Sequence, residues 1–147
     1  GDYDITKGRT YWFYEGEVLY PFGYGLSYTL FDYSNLQISN SSPSNNDIIT
    51  ISFDIANIGS LGGDEVIQLY IRDIESTNMQ PLKRLKRFKR QHINADESIK
   101  ITFELNPNDF KYWNPDLESW HLQLGQFEIQ IGSSSADIRL SQTIAWQ

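Results

Sequence analysis

Acid–base hydrolysis by paired carboxyl groups needs the two about 5–10 Å apart across the bond that breaks. The acidic residues are therefore the first place to look for chemistry. Asp64 and Glu65 are adjacent at the start of an apolar run. Neighbouring strand residues point to opposite faces, so these two do not converge. Asp96 and Glu97 fall in a turn, and Glu15 and Glu17 flank Gly16 in another. Each pair reads as solvated turn charge, and a pair built from two distant segments stays open. His92 and His121 are the only histidines. A nucleophilic triad needs a His beside a Ser and a carboxylate, and no serine here has the flanking glycines of a nucleophile elbow. Both histidines read as strand-surface residues. No His pair has metal-ligand spacing and no calcium-binding loop is present. No catalytic residue, cofactor or metal ligand is assigned.

Two other features invite a binding role. The run Lys83-Arg84-Leu85-Lys86-Arg87-Phe88-Lys89-Arg90 holds six of the twelve basic residues. The sharper reading is a nucleic-acid or anionic-surface patch. The more economical one is an exposed strand anchored by Leu85 and Phe88, with its basic groups in water, where they discourage sheet-to-sheet aggregation. Pairing with an acidic face of a neighbouring domain lies between the two. Apolar sugar faces stack on aromatic rings, which makes Trp12, Trp113, Trp120 and Trp146 candidates; a Trp in a small β-domain more often belongs to the core or an interface. Asn40-Ser41-Ser42 fits the N-glycosylation pattern.

The elements that would position these residues are strands. Ile49, Ile51, Phe53 and Ile55 alternate with polar or small neighbours, the period of a half-buried strand. Ile99, Ile101, Phe103 and Leu105 do the same. Residues 66–71 are largely apolar on both faces and suit a central strand. Leu36 and Ile38, Trp120 and Leu122, Phe127 to Ile131, and Ile138 to Leu140 mark further strands. Leu82, Leu85 and Phe88 recur every third residue and fit neither period. Residues 106–115 read as a loop with one helical turn around Asp109–Tyr112. The sum is about seven strands with turn signals every ~8–12 residues, the pattern of an all-β, immunoglobulin-like two-sheet sandwich.

Residues 1–31 differ. They carry ten aromatic residues, interrupted by Gly16, Pro21, Gly23 and Gly25. This reads as an extended N-terminal arm of irregular chain and tight turns. At 147 residues the chain suits one domain and can bury a stable core. It has no Cys, which excludes disulfides and thiol chemistry, and no run of 18 apolar residues. A net charge of −7 disfavours nucleic acid as the main partner.

The motifs then carry a resemblance. Gly8-Arg9-Thr10-Tyr11, followed by Leu19-Tyr20-Pro21-Phe22-Gly23-Tyr24-Gly25-Leu26-Ser27-Tyr28-Thr29-Leu30-Phe31, resembles the entry to the C-terminal domain of glycoside hydrolase family 3. The segments 63–71, 81–88 and 125–135 resemble later strands of the same domain, so the likeness covers nearly the whole chain. Small departures are Gln80 before Pro81, Arg87 before Phe88, and a turn at Ala95-Asp96-Glu97 without its usual Gly.

The resemblance implies a fibronectin type III-like β-sandwich over residues 32–147, preceded by an interdomain arm over 1–31. It implies a parent enzyme, secreted or periplasmic, that removes terminal β-linked glucose or xylose by a retaining mechanism from domains outside this segment. This chain would be a non-catalytic accessory domain without a cofactor, and the irregular stretch at 82–93 would be a strand with an irregularity. Its partners would be other domains of the same polypeptide, and the parent's carbohydrate substrate, with no nucleic acid and no membrane. Self-association through an uncovered apolar patch is a further expectation. Arg9, Tyr11, Tyr20, Phe22, Tyr24, Tyr28 and Phe31 are the expected interdomain contacts. The alternative is a carbohydrate-binding module that presents Trp12, Trp113 and Trp120.

Overall fold

Strand β3 (Ile49–Asn57) sets the frame. In this computed structural model, which describes residues 17–22, 25–75, 83–122 and 124–147 with side chains from residue 28 onward, Ile49, Ile51, Phe53 and Ile55 are fully buried. Their neighbours in sequence face outward, as the period-2 pattern requires. β3 lies between β2 (Gly25–Ile38) and β6 (Ser98–Leu105), and β1 (Glu17–Phe22) flanks β2 on the other side. A second sheet has the order β10-β9-β4-β5, from β4 (Gly63–Asp73), β5 (Lys83–Ile93), β9 (Gly125–Ser134) and β10 (Asp137–Trp146). β4 is central, as its two-sided apolar character predicts. Ile67, Leu69 and Ile71 face inward and Val66 outward.

All pairings are antiparallel. One core draws Phe31, Tyr33, Phe53 and Phe103 from the first sheet and Leu69, Phe127, Ile131 and Trp146 from the second. Each fully buried side chain of this size contributes on the order of 1.5–3 kcal/mol. The expected seven-stranded sandwich is present as β2, β3 and β6 against β4, β5, β9 and β10. The β1 strand and a small hairpin, β7 (Lys111–Asn114) with β8 (Ser119–Leu122), are additions to it.

Two elements differ from the sequence reading. β2 begins at Gly25, well before Leu36, and runs unbroken through residue 31. Its period is hidden by a bulge between Ser34 and Gln37, where Asn35 takes a positive φ of 57°. Trp146, grouped above with the exposed rings, is 2% exposed and belongs to the core.

The β6-to-β9 connection opens with a 3-10 turn at Pro107–Phe110, slightly earlier than expected. Asn106 and Asp109 cap it reciprocally, and Pro107 at its start needs no backbone donor. The turn aims Phe110 into the core, edge-on to Phe127 at 5.1 Å and Trp146 at 5.3 Å.

At the opposite corner Asn57 is fully buried. Its amide donates to the carbonyls of Leu61 and Ile93, and its Oδ1 accepts from Gly59 N–H. It thereby ties the β3–β4 turn to the end of β5. Gly59 is the residue this turn tolerates, because a Cβ there would lie 2.3 Å from the Tyr28 carbonyl oxygen.

Candidate interaction surface

The acidic pair separates as the alternation predicts. Asp64 faces outward, where it accepts from Arg90 Nε at 3.0 Å and contacts His92 Nδ1 at 2.7 Å. The hydrogen bonds from His92 and Arg90 hold its carboxyl below the usual range. Glu65 corrects the expectation of a solvated charge. Its side chain turns inward and accepts from the Tyr33 hydroxyl at 2.8 Å. Burial pushes the Glu65 carboxyl up, against the Tyr33 hydrogen bond and the nearby Arg139 charge. Burial also raises the Tyr33 phenol well above its ordinary value.

Arg139 completes this cluster. It donates to both oxygens of Asp137 and to the Phe31 carbonyl, and lies over the Tyr33 ring at 5.3 Å. The group links β2 to β4 and β10 across the sandwich, which makes it a structural bridge between sheets. An open depression elsewhere is lined by Gln37, Ile38, Ser39, Thr50, Ser52 and Gln142, none of them ionisable.

The histidines behave as surface residues with partners. Strand spacing brings Ser119 Oγ within 2.7 Å of His121 Nε2, a neighbour the sequence reading missed. The signal was the i, i+2 spacing on a strand. No carboxylate among the described residues hydrogen-bonds that ring, so the pair lacks the third group of a triad. Among the described residues no cluster of three or more His, Asp or Glu could hold a metal ion.

The basic run corrects another expectation. Leu85 and Phe88 do not anchor β5, since they are 46% and 69% exposed. Several basic residues face inward instead. Lys89 lies opposite Ile67, Arg87 opposite Leu69 and Arg84 opposite Ile71, all core-facing positions of β4. Arg87 grips Asp109 with two parallel hydrogen bonds of 2.9 and 2.8 Å, and Arg84 donates to the Lys111 carbonyl. Ile93 at the end of the strand reaches the core, whereas Arg84 and Arg87 on the same inner face hold down the β6-to-β9 connection. On the outer face, Arg90 pairs with Asp64, and Lys83 sits over the Tyr70 ring while donating to the Ser135 carbonyl.

The β7–β8 hairpin carries the exposed tryptophans. Trp113 and Trp120 lie directly opposite each other, 5.7 Å apart and edge-to-face, and are 47% and 59% exposed. Leu122, on the same hairpin face, packs against the core, so the indole pair extends that face outward. Leu117 and Leu124 nearby are also exposed.

Of the expected interdomain contacts, Arg9, Tyr11 and Tyr24 lie outside the described residues, as does Trp12. Tyr20 and Phe22 occupy β1, opposite Ser27 and Gly25, with side chains outside the description. Tyr28 is half-buried and holds the β3–β4 turn, its carbonyl accepting from Leu61 N–H. Phe31 is 6% exposed in this domain's own core, which leaves it no area for a neighbour.

Known proteins resemble this chain in sequence and in fold. The profile of the fibronectin type III-like domain matches residues 65–135. The thermostable β-glucosidase B of Acetivibrio thermocellus is 41% identical over 128 residues, 87% of this chain and 17% of that protein. The β-glucosidase BoGH3A of Bacteroides ovatus is 35% identical over 144 residues, 97% of this chain and 19% of that protein. The crystal structure of a GH3 β-glucosidase from Bifidobacterium adolescentis superimposes with a TM-score of 0.72 at 28% identity, covering 86% of this chain and 18% of that one. The chain therefore spans less than a fifth of the length of these relatives.

Proposed function

Given that this chain is a fibronectin type III-like domain related to a segment of family 3 β-glucosidases, we propose that it is a non-catalytic C-terminal domain bracing the catalytic part of a β-glycosidase. The observation that carries this reading is coverage: nearly the whole chain matches enzymes of which it forms under a fifth. The site chemistry agrees. Glu65, whose carboxyl is raised by burial, bridges the two sheets through Tyr33.

The test has two arms. The 147-residue chain should not turn over aryl β-glucosides or β-xylosides, and turnover comparable to a complete enzyme overturns the reading. Deleting the domain from the polypeptide that carries it should lower the melting temperature of the catalytic part; an unchanged melting temperature also overturns it.

A second reading, carbohydrate binding, rests on the exposed Trp113–Trp120 pair. Affinity electrophoresis through β-glucan, xylan and soluble cellulose derivatives decides it. Retardation that disappears in Trp113→Ala supports binding, and unchanged mobility in all three removes it.

A further inference from the structure

Over residues 84–89, strand β5 is built with its polarity reversed, and only Ile93 at its end faces the core in the usual way. An edge strand packed on a core normally turns apolar residues inward, whereas β5 turns Arg84, Arg87 and Lys89 inward and Leu85 and Phe88 outward. The reversal depends on a bulge. Residues three apart in a regular strand point to opposite faces. Here Leu85 lies opposite Tyr70 and Phe88 opposite Gln68, and Lys86 is the extra residue between them. That insertion sets both apolar side chains on the outer face, the kind of re-aiming for which bulges are used. Val66, 37% exposed, shares this face on β4. Phe88 at 69% exposure contributes nothing to this domain's core.

The surroundings state the chemistry of what covers it. Six basic residues fall within 83–90 of a chain whose net charge is −7. Only two of the six have carboxylate partners among the described residues, Arg87 with Asp109 and Arg90 with Asp64. Of the six, Lys83 and Arg90 lie on the outer face at either end of the apolar residues, and Lys86 stands at the bulge between them. An aromatic anchor flanked by cations is the layout of an interface hot spot, and a basic patch on an acidic molecule selects an acidic partner.

We propose that the outer face of β4 and β5, centred on Phe88 with Leu85 and Val66, docks into an acidic-rimmed apolar socket on the catalytic part of the same polypeptide. This rests on the bracing role proposed above. It adds a second point of attachment, distinct from the N-terminal arm.

The test compares Leu85→Ser/Phe88→Ser and Arg90→Gln, the latter at an outer-face side chain that is 74% exposed, with the unaltered protein. In the chain alone, both variants should melt within about 2 °C of the parent, because exposed side chains away from special features change stability little. A larger drop means these residues serve the domain's own fold and overturns the proposal. In the complete polypeptide, both should shorten the half-life of glycosidase activity on heating by roughly tenfold or more, the scale of a lost hot spot. The charge variant should lose most of its effect at high salt.

If deletion of the whole domain destabilises the enzyme but neither variant does, bracing stands and this surface is not the contact. If deletion itself has no effect, bracing falls. Sedimentation of the chain alone showing a dimer that Phe88→Ser dissolves would assign the face to a second copy and also overturn the proposal.

Discussion

At the scale of single residues, fully buried Asn57 and half-buried Glu65 serve the fold in different ways. Asn57 meets every hydrogen-bonding need of its amide inside the protein. Glu65 accepts from the Tyr33 hydroxyl and from the Val66 N–H, and burial outweighs both. The native state therefore prefers Glu65 protonated more than the unfolded chain does. Where the native value is raised, the folded protein binds more protons across the window, so stability falls as pH rises. The contribution is fully present below the ordinary Glu value and is lost as pH climbs through the raised native one. Asp64 and Glu128 are shifted down, and their contributions run the other way, lost on acidification. Glu65→Gln isolates the first effect, since a neutral amide keeps an acceptor for the Tyr33 hydroxyl. Thermal melts of the two proteins should diverge as pH rises from about 4.5, with the variant gaining on the parent toward neutrality. Parallel curves across that range would show that Glu65 does not titrate with a raised value.

At the scale of elements, legibility followed periodicity. β3 and β6 keep an unbroken alternation against one core, and both were visible in the sequence. β2 and β5 each contain a bulge, which shifts the period by one and disguises the strand. The three-residue spacing of Leu85 and Phe88 is the trace of that shift in β5. The resemblance to a known domain supplied the strand at 82–93, whereas periodicity alone did not. Even so, the orientation of β5 was read backwards, because apolar residues among lysines and arginines are ordinarily the anchors. The structure inverts this since the inner face of β5 meets Asp109 and the Lys111 carbonyl, groups that demand donors. The partners lie more than twenty residues away, and no local pattern announces them. Glu65 was misread for the same reason: its phenolic partner, Tyr33, is on the other sheet.

At the scale of the whole molecule, the question is whether the two sheets and the β6-to-β9 connection unfold as one. Trp146 is where they meet. It is 2% exposed and packs edge-on against Phe110 of the connection, and the N–H groups of its chain neighbours Ala145 and Gln147 donate to the carbonyls of Ser41 and Pro43 in the β2–β3 loop. Strand β10 closes the core with Ile144 and Trp146. Trp146→Ala should cost about 3–5 kcal/mol, the scale of a large aromatic deleted from a packed core. That is a large share of the roughly 5–15 kcal/mol that holds a domain of this kind. Trp113→Ala should cost at most about 1.5 kcal/mol, the upper end of what an edge-to-face aromatic pair adds. Urea unfolding followed by far-UV circular dichroism reads both. The expected result is a single transition whose midpoint drops sharply for Trp146→Ala and moves much less for Trp113→Ala. A biphasic transition in the unaltered chain, or equal shifts for the two variants, would mean that β10 and the connection are not part of one cooperative unit.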